Sequence, residues 1–267
     1  MPQKLPMSHI TKMVGSYDAT LGVCALPVDQ VRAMLPPDLE LAEQQLTPPS
    51  THPVVFGFGR HEHVHFTHLE FLWNQGYLEQ FTGVPFVRLK PGRGREPNRA
   101  NFYFLPRLFL DKLTPVVGGV LWWGFPKRLS RISVDDRRYR VRSLLKQDDL
   151  ISLDIASRSE PGRFGEFPYL APIAETISQP LIGKTLADFG PWVGSTFDWR
   201  WHAAEIWSVD ATIQIRQPYL PGLEPATYQL SGIGDAPLGA FGVRTNWELS
   251  LPYSPSKVAP GVSYAIR

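Results

Sequence analysis

Residues 122–132 read Trp-Trp-Gly-Phe-Pro-Lys-Arg-Leu-Ser-Arg-Ile, which places Lys127 beside a second cation, Arg128, directly after an aromatic run. Desolvation and a neighbouring like charge both disfavour the ammonium form, so this context predicts a lowered pKa for Lys127. An ordinary lysine, with a pKa near 10.4, is neutral in only about one molecule in 2,500 at pH 7. The stretch therefore indicates a nucleophilic amine. The alternative interpretation is a pair of solvated surface charges, which is what most Lys-Arg pairs are.

Composition narrows the class of protein. The chain has 267 residues, a net charge of +2 and 19% charged residues of both signs, so we expect neither nucleic acid nor an acidic membrane surface as a partner. The single cysteine, Cys24, excludes an intrachain disulfide and is interpreted as a small buried hydrophobe in a reducing compartment. Because no stretch approaches 18 uninterrupted apolar residues, the expected location is cytoplasmic.

Proline and glycine divide the chain into short pieces, with 26 and 22 residues respectively. Alternating or β-branched segments predict strands at residues 54–58, 83–89, 152–156, 211–215 and 243–251. Residues 115–123 are also interpreted as an apolar strand, and helices are predicted at residues 27–35 and 179–187. These elements predict one α+β, β-rich domain over residues 1–267, with few short helices and a mainly antiparallel sheet that is barrel-like or sandwich-like, of which barrel-like is the preferred prediction.

A histidine-rich segment offers a possible metal site. His61, His63 and His65 alternate and are followed by His68. Residues two apart on a strand share a face, so these imidazoles can converge on a zinc-like ion. The simpler interpretation is a polar hairpin or loop, since no fourth metal-binding residue can be identified from the sequence. The preferred hypothesis therefore includes no metal.

A carboxylate stands at the entry of an apolar strand, in the sequence Gly76-Tyr77-Leu78-Glu79. Such a group either satisfies backbone donors or projects into a cavity, where it can move a proton. The two tryptophans before the lysine are equally open to interpretation as core or as pocket. On a strand, Trp122 and Trp123 would point in opposite directions and would not be buried against the same surface.

Together these motifs resemble the acetoacetate decarboxylase superfamily, whose hallmark is Tyr-Pro-Lys-Lys-Leu or Phe-Pro-Lys-Lys-Leu. Here the corresponding residues are Phe-Pro-Lys-Arg-Leu at 125–129, preceded by Gly-Tyr-x-Glu at 76–79. Residues 28–41 are similar to that family's early helix and the strand after it, and residues 239–252 resemble a late strand of its decarboxylase-like branch. The resemblance covers roughly residues 15–252.

The resemblance implies a role for each matching residue. Lys127 matches the lysine that forms a Schiff base with a ketone, Arg128 matches the neighbouring lysine, and Glu79 matches an active-site glutamate. No cofactor is implied, and the family's tendency to assemble implies a homo-oligomer. The family's pocket arginine and second glutamate correspond to Tyr17 and Gly57, although Glu62 lies near the second position. This departure puts recognition of a small β-keto acid in doubt.

The resulting hypothesis is a cofactor-free, cytoplasmic lyase that acts on a keto acid through Lys127. Decarboxylation of a β-keto acid ranks just above aldolase or dehydratase chemistry on a larger keto acid. The non-catalytic alternative is a protein that binds a small molecule and in which Lys127 only pairs with a carboxylate. The residues predicted to line the substrate pocket are Tyr17, Tyr77, Trp122, Trp123 and Phe125.

Overall fold

The fold was analysed in a computed structural model, which describes residues 12–69, 74–91, 99–145, 148–186, 188–234 and 237–258. The strands are β1 (Lys12–Pro27), β2 (Leu39–Leu41), β3 (Thr51–Phe66), β4 (Gln75–Leu89), β5 (Phe102–Leu110), β6 (Lys127–Leu129), β7 (Arg131–Val134), β8 (Arg138–Arg142), β9 (Asp149–Arg158), β10 (Gly162–Arg163), β11 (Leu181–Lys184), β12 (Trp192–Ser195), β13 (Phe197–Asp198), β14 (Glu205–Ile215), β15 (Ala226–Leu230) and β16 (Gly239–Ser250). The α-helices are α1 (Val28–Ala33), α2 (Leu113–Gly118) and α3 (Ala171–Ile177). A π-helical turn, Gly119–Trp123, follows α2, and single 3-10 turns occupy Phe164–Glu166, Pro168–Leu170, Trp201–Ala203 and Pro255–Lys257.

The strands form one large sheet in the order β12-β11-β5-β4-β3-β1-β16-β14-β9-β8-β7. Most neighbours are antiparallel, whereas β5 runs parallel to both β6 and β11. The prediction of a β-rich, mainly antiparallel fold with few short helices is therefore confirmed. The sheet is not closed into a barrel, because the outermost strands β12 and β7 do not pair with each other in the part of the chain that the structure describes.

Two hydrophobic clusters cover the two faces of this sheet, as the period of two along a strand requires. On β5, Leu108 and Leu110 belong to one cluster, while Phe109 between them belongs to the other. The long central strand β3 is buried along most of its length and β1 along half of it, since both faces of the sheet are covered. None of the helices within the described ranges has the length and apolar composition needed to cross a membrane.

The helix predicted at residues 27–35 is confirmed, because α1 spans Val28–Ala33 and the chain continues to turn through Met34 and Leu35. The helix predicted at residues 179–187 is wrong. Pro180 interrupts this segment, and the apolar run after it forms β11, which pairs with β5 and β12. The nearest helix, α3, ends at Ile177 instead.

The strand predicted at residues 115–123 is also wrong, since α2 and the π-helical turn occupy this stretch. A uniformly apolar sequence carries no period that distinguishes a helix from a strand. Gly124, with a φ of 67°, ends the helical segment in the left-handed conformation that glycine adopts without strain. The chain then enters the short strand β6, which carries Lys127.

Candidate active site

Lys127 lies at the start of β6, where it is paired in parallel register with Leu108 of β5. Its side chain is only 7% exposed, and Nζ lies 5.7 Å from the ring centroid of Tyr77 and 6.0 Å from that of Phe125. The π-helical turn lies against the same side chain. A methyl group built on Gly119 would stand 2.5 Å from Cδ and 3.2 Å from Nζ of Lys127. The lysine side chain is therefore closely packed against apolar groups.

Glu79 of β4 faces the amine. Its Oε2 lies 3.8 Å from Lys127 Nζ, and its Oε1 lies 3.3 Å from His61 Nε2. All three side chains are almost fully buried. His61 comes from the adjacent strand β3, and its ring stacks on Tyr17 of β1 with a centroid distance of 3.9 Å. A buried lysine, carboxylate and imidazole therefore form one line across three strands.

Burial determines the electrostatics of these groups. It lowers the pKa of Lys127 below the ordinary lysine value, while the charge of Glu79 opposes this shift. Burial likewise lowers the pKa of His61, again against the effect of Glu79. For Glu79 itself, burial raises the pKa, but the facing His61 and Lys127 outweigh it and hold the pKa below its usual value. The site thus combines a readily deprotonated amine with an ionised carboxylate.

Lys127 and Glu79 open onto a cavity of about 70 Å³. Its wall is mainly aromatic and aliphatic, and the aromatic members include Phe81, Phe125, Phe197, Trp199 and Trp247. Lys127 is the only lysine or arginine among the described residues that line it. A substrate in this cavity is therefore surrounded by apolar side chains, with one amine and one carboxylate within reach.

Several polar atoms of the cavity residues have no hydrogen-bond partner among the described residues. They are the hydroxyls of Tyr17 and Tyr103, the indole Nε1 of Trp199 and Trp247, and Nδ1 of His61. A buried polar group without a partner costs about 1–3 kcal/mol. The wall of the cavity therefore contains polar atoms that are themselves almost inaccessible to solvent.

The structure brings most of the predicted site residues together. Tyr17, Tyr77, Glu79, Phe125 and Lys127 all line the same cavity. Trp122 and Trp123 line a smaller neighbouring cavity of about 40 Å³, which shares Lys127 with the first. Trp123 is buried and Trp122 is 56% exposed, so the two rings do have different environments, although on a helical turn and not on a strand.

Arg128 is not brought to the cavity. It is exposed on the opposite face of β6, and the lowered pKa of Lys127 results from burial, without a contribution from Arg128. The expected effect of the cationic neighbour is therefore corrected. Adjacent residues on a strand point in opposite directions, which separates the two charges.

The imidazoles of the histidine segment do not converge on one point, as they could on a regular strand. The pairing of β3 with β4 is interrupted between His61 and Val64, and His63 adopts a positive φ of 53° within this bulge. His61 is buried in the cavity, whereas His63 and His68 are exposed. No group of three potential ligands assembles in the described ranges. The geometry therefore favours a role for His61 beside Glu79 over a metal site.

The two positions that the resemblance relates to the family's pocket arginine and second glutamate have apolar surroundings here. Tyr17 is fully buried against His61, and burial raises the pKa of its hydroxyl, so it is an uncharged group. Gly57 lies opposite Phe81, whose ring fills the space of a side chain at position 57. Glu62 lies outside the cavity, where its carboxylate is 3.8 Å from Arg60.

The close contact between position 57 and the Phe81 ring can be tested by substitution. A Cβ at position 57 would stand 2.1 Å from the Phe81 ring, so Gly57→Ala is expected to destabilise the protein by about 1–3 kcal/mol. Gly165→Ala is the matched control, because no atom lies within 4 Å of the added methyl group. Denaturant unfolding of both variants measures the difference. Equal stabilities would show that the Phe81 ring does not occupy this space.

Comparison with known proteins identifies a family. The sequence model of the acetoacetate decarboxylase family matches residues 1–159. No curated protein matches the chain at the sequence level. Several solved structures are similar in fold. The acetoacetate decarboxylase of Legionella pneumophila is 16% identical, with 94% of this chain and 91% of that chain covered and a TM-score of 0.55.

The enduracididine biosynthesis enzyme MppR, solved in complex with pyruvate, is 13% identical, with 92% and 91% covered and a TM-score of 0.56. An acetoacetate decarboxylase-like enzyme from Sphingomonas wittichii RW1 is 12% identical, with 92% and 94% covered and a TM-score of 0.57. At such identities the likeness establishes the fold alone. The family match extends over more than half of the sequence, including both Glu79 and Lys127. The chain belongs to the acetoacetate decarboxylase family.

Proposed function

We propose that the protein is a cofactor-independent lyase that forms a Schiff base between Lys127 and a keto acid. The observation that supports this most strongly is the buried amine facing a carboxylate in an apolar cavity. The neutral amine adds to the ketone carbon, and loss of water gives a protonated imine. The imine then accepts the electron pair of a breaking carbon–carbon bond.

Decarboxylation of a β-keto acid is the reaction we place first. In this step the bond to the carboxylate breaks, carbon dioxide leaves, and its electron pair forms an enamine. The enamine carbon takes a proton, and water releases the ketone and the free amine. An apolar wall favours this reaction, because the carboxylate loses its charge as carbon dioxide forms and is poorly stabilised there beforehand.

Aldolase or dehydratase chemistry is the second candidate, and the His61–Glu79 pair is the observation that favours it. Such reactions must remove a proton from the carbon next to the imine, which decarboxylation does not require. Glu79 lies 3.8 Å from Lys127 Nζ and 3.3 Å from a histidine that can relay the proton. Simple binding by an ion pair is less well supported, since burial lowers the pKa of Lys127.

Incubation with acetoacetate distinguishes the two reactions. Release of carbon dioxide with formation of acetone supports decarboxylation. If the protein instead exchanges the methyl protons of acetone or pyruvate with deuterium, without releasing carbon dioxide from acetoacetate, the aldol-type reaction replaces it. A protein that does neither, with these or with larger keto acids, would contradict the proposed lyase.

The pH dependence provides a further prediction. The charge of Glu79 raises the pKa of Lys127, so Glu79→Gln should lower that pKa and move the midpoint of Schiff-base formation to lower pH. The rate of reductive trapping with acetone, measured against pH, reports this midpoint. Glu62→Gln is the control, because that carboxylate is exposed outside the cavity. A midpoint that rises in Glu79→Gln would contradict the assigned electrostatics.

A further inference from the structure

Arg128 follows Lys127 in the sequence but lies on the other face of the sheet. In the parallel pairing of β5 with β6, Lys127 lies beside Leu108 and Arg128 beside Phe109. Arg107 precedes Phe109 by two residues and so shares its face. Lys127 and Arg128 therefore point away from each other, and the second cation meets another arginine.

Neither arginine has an acidic partner. Among the described residues no carboxylate lies within ion-pair distance of Arg107 or Arg128, although most other buried or half-buried cations of the sheet have one. The Nε of Arg107 is buried and has no hydrogen-bond partner in these ranges. Burial, followed by the charge of Arg128, lowers the pKa of Arg107 to about 10. Two guanidinium groups thus lie close together with their charges uncompensated.

An open groove of about 670 Å³ runs beside this pair. Arg128 lines it, together with Phe109, Leu129, Leu150, Tyr219 and Leu220. Arg107 is not among the residues that line the groove, but it lies two positions before Phe109 on the same face of β5. The groove therefore joins the guanidinium of Arg128, with the charge of Arg107 nearby, to an aliphatic and aromatic wall.

We propose that this groove binds an aliphatic carboxylate, separately from the Lys127 cavity. The carboxylate accepts a pair of hydrogen bonds from Arg128, whose planar fork matches its two oxygens, and the charge of Arg107 adds to the attraction. The hydrocarbon chain lies along Leu129, Leu150 and Leu220. A carboxylate is favoured over a phosphate monoester because a single, more weakly hydrated charge costs less to bring against a half-apolar wall.

Binding of octanoate to the whole protein, followed by isothermal titration calorimetry, tests this assignment, with 1-octanol and octyl phosphate as comparison ligands. Octanoate is expected to bind at least about tenfold more tightly than octanol, since a charge-assisted hydrogen bond contributes about 1.5–3 kcal/mol. Arg128→Gln should weaken octanoate binding at least about tenfold, and Arg107→Gln should act in the same direction. Arg131→Gln is the matched control, an exposed arginine on β7 outside the groove.

Four results would overturn the proposal. Octanoate and octanol of equal affinity, or undiminished octanoate binding in Arg128→Gln, would show that the arginines do not recognise the head group. Tighter binding of octyl phosphate would contradict the carboxylate assignment. A change in oligomeric state in the folded Arg107→Gln/Arg128→Gln variant, measured by sedimentation, would assign the groove to a contact between subunits. Reductive trapping at Lys127 is independent of all four.

Discussion

Lys127→Met is expected to abolish Schiff-base formation and to lower turnover by at least about 10⁴-fold, because the reaction then lacks its covalent nucleophile. Methionine is unbranched and similar in length to lysine, so it fits the same closely packed position. Glu79 retains its contact with His61, so the variant should remain folded. The measurement is the rate of product formation together with the mass of the borohydride-treated protein.

The stability of Lys127→Met relative to the wild type should also change with pH in a defined direction. The folded-state pKa of Lys127 lies below the unfolded value of 10.5, so protonation of the wild type opposes folding. That penalty is absent above pH 10.5 and grows as the pH falls toward the folded-state pKa. The stability of Lys127→Met relative to the wild type should therefore increase as the pH is lowered from 10.5.

Lys257→Met is the control, since this lysine is exposed near the C-terminal end of the described chain. It should leave both turnover and the pH dependence of stability close to those of the wild type. Full turnover in Lys127→Met, or a relative stability that falls with decreasing pH, would contradict the environment assigned to Lys127.

Gly119→Ala is the second large effect that we expect. The new methyl group would stand 2.5 Å from Cδ and 2.6 Å from Cε of Lys127, so the lysine side chain must shift from its present position beside Glu79. A displacement of about 1 Å at a reacting group costs about 10²-fold in rate. Because Gly119 has ordinary helical angles, alanine is compatible with its backbone, and the variant should fold.

Gly118→Ala provides the comparison within the same helical segment. Its methyl group would lie 3.9 Å from the ring of Trp122, which is an ordinary contact. Both substitutions change helix propensity by similar amounts, so the ratio of their trapping rates isolates the position of Lys127. Equal rates in the two variants would show that the π-helical turn does not position the amine.

The lysine and the carboxylate of the cavity could be predicted from the sequence because each belongs to a short local motif. The Phe-Pro-Lys-Arg-Leu stretch and the Gly-Tyr-x-Glu stretch identified Lys127 and Glu79, and the structure brings these two side chains within 3.8 Å. The placement of Arg128 could have been inferred as well. Alternation along β6 requires neighbours to point in opposite directions, so the like-charge argument failed for a reason visible in the sequence.

The wall of the cavity was not predictable in the same way. Trp199 and Trp247 lie far from Lys127 in sequence and share a cavity with it through the pairing of β16 with β1 and β13. The sequence presents His61 only as a possible metal ligand, because its contact with Glu79 depends on the register between β3 and β4. Register over such distances is set by the whole sheet, and no local pattern reports it.

Reductive trapping shows directly which lysine forms the proposed imine. The protein is incubated with acetoacetate or acetone and cyanoborohydride near neutral pH, and the modified lysine is located by peptide mass spectrometry. Rapid modification is expected at Lys127, well ahead of exposed lysines such as Lys257. Modification confined to exposed lysines, with Lys127 unmodified, would contradict the proposed role of Lys127.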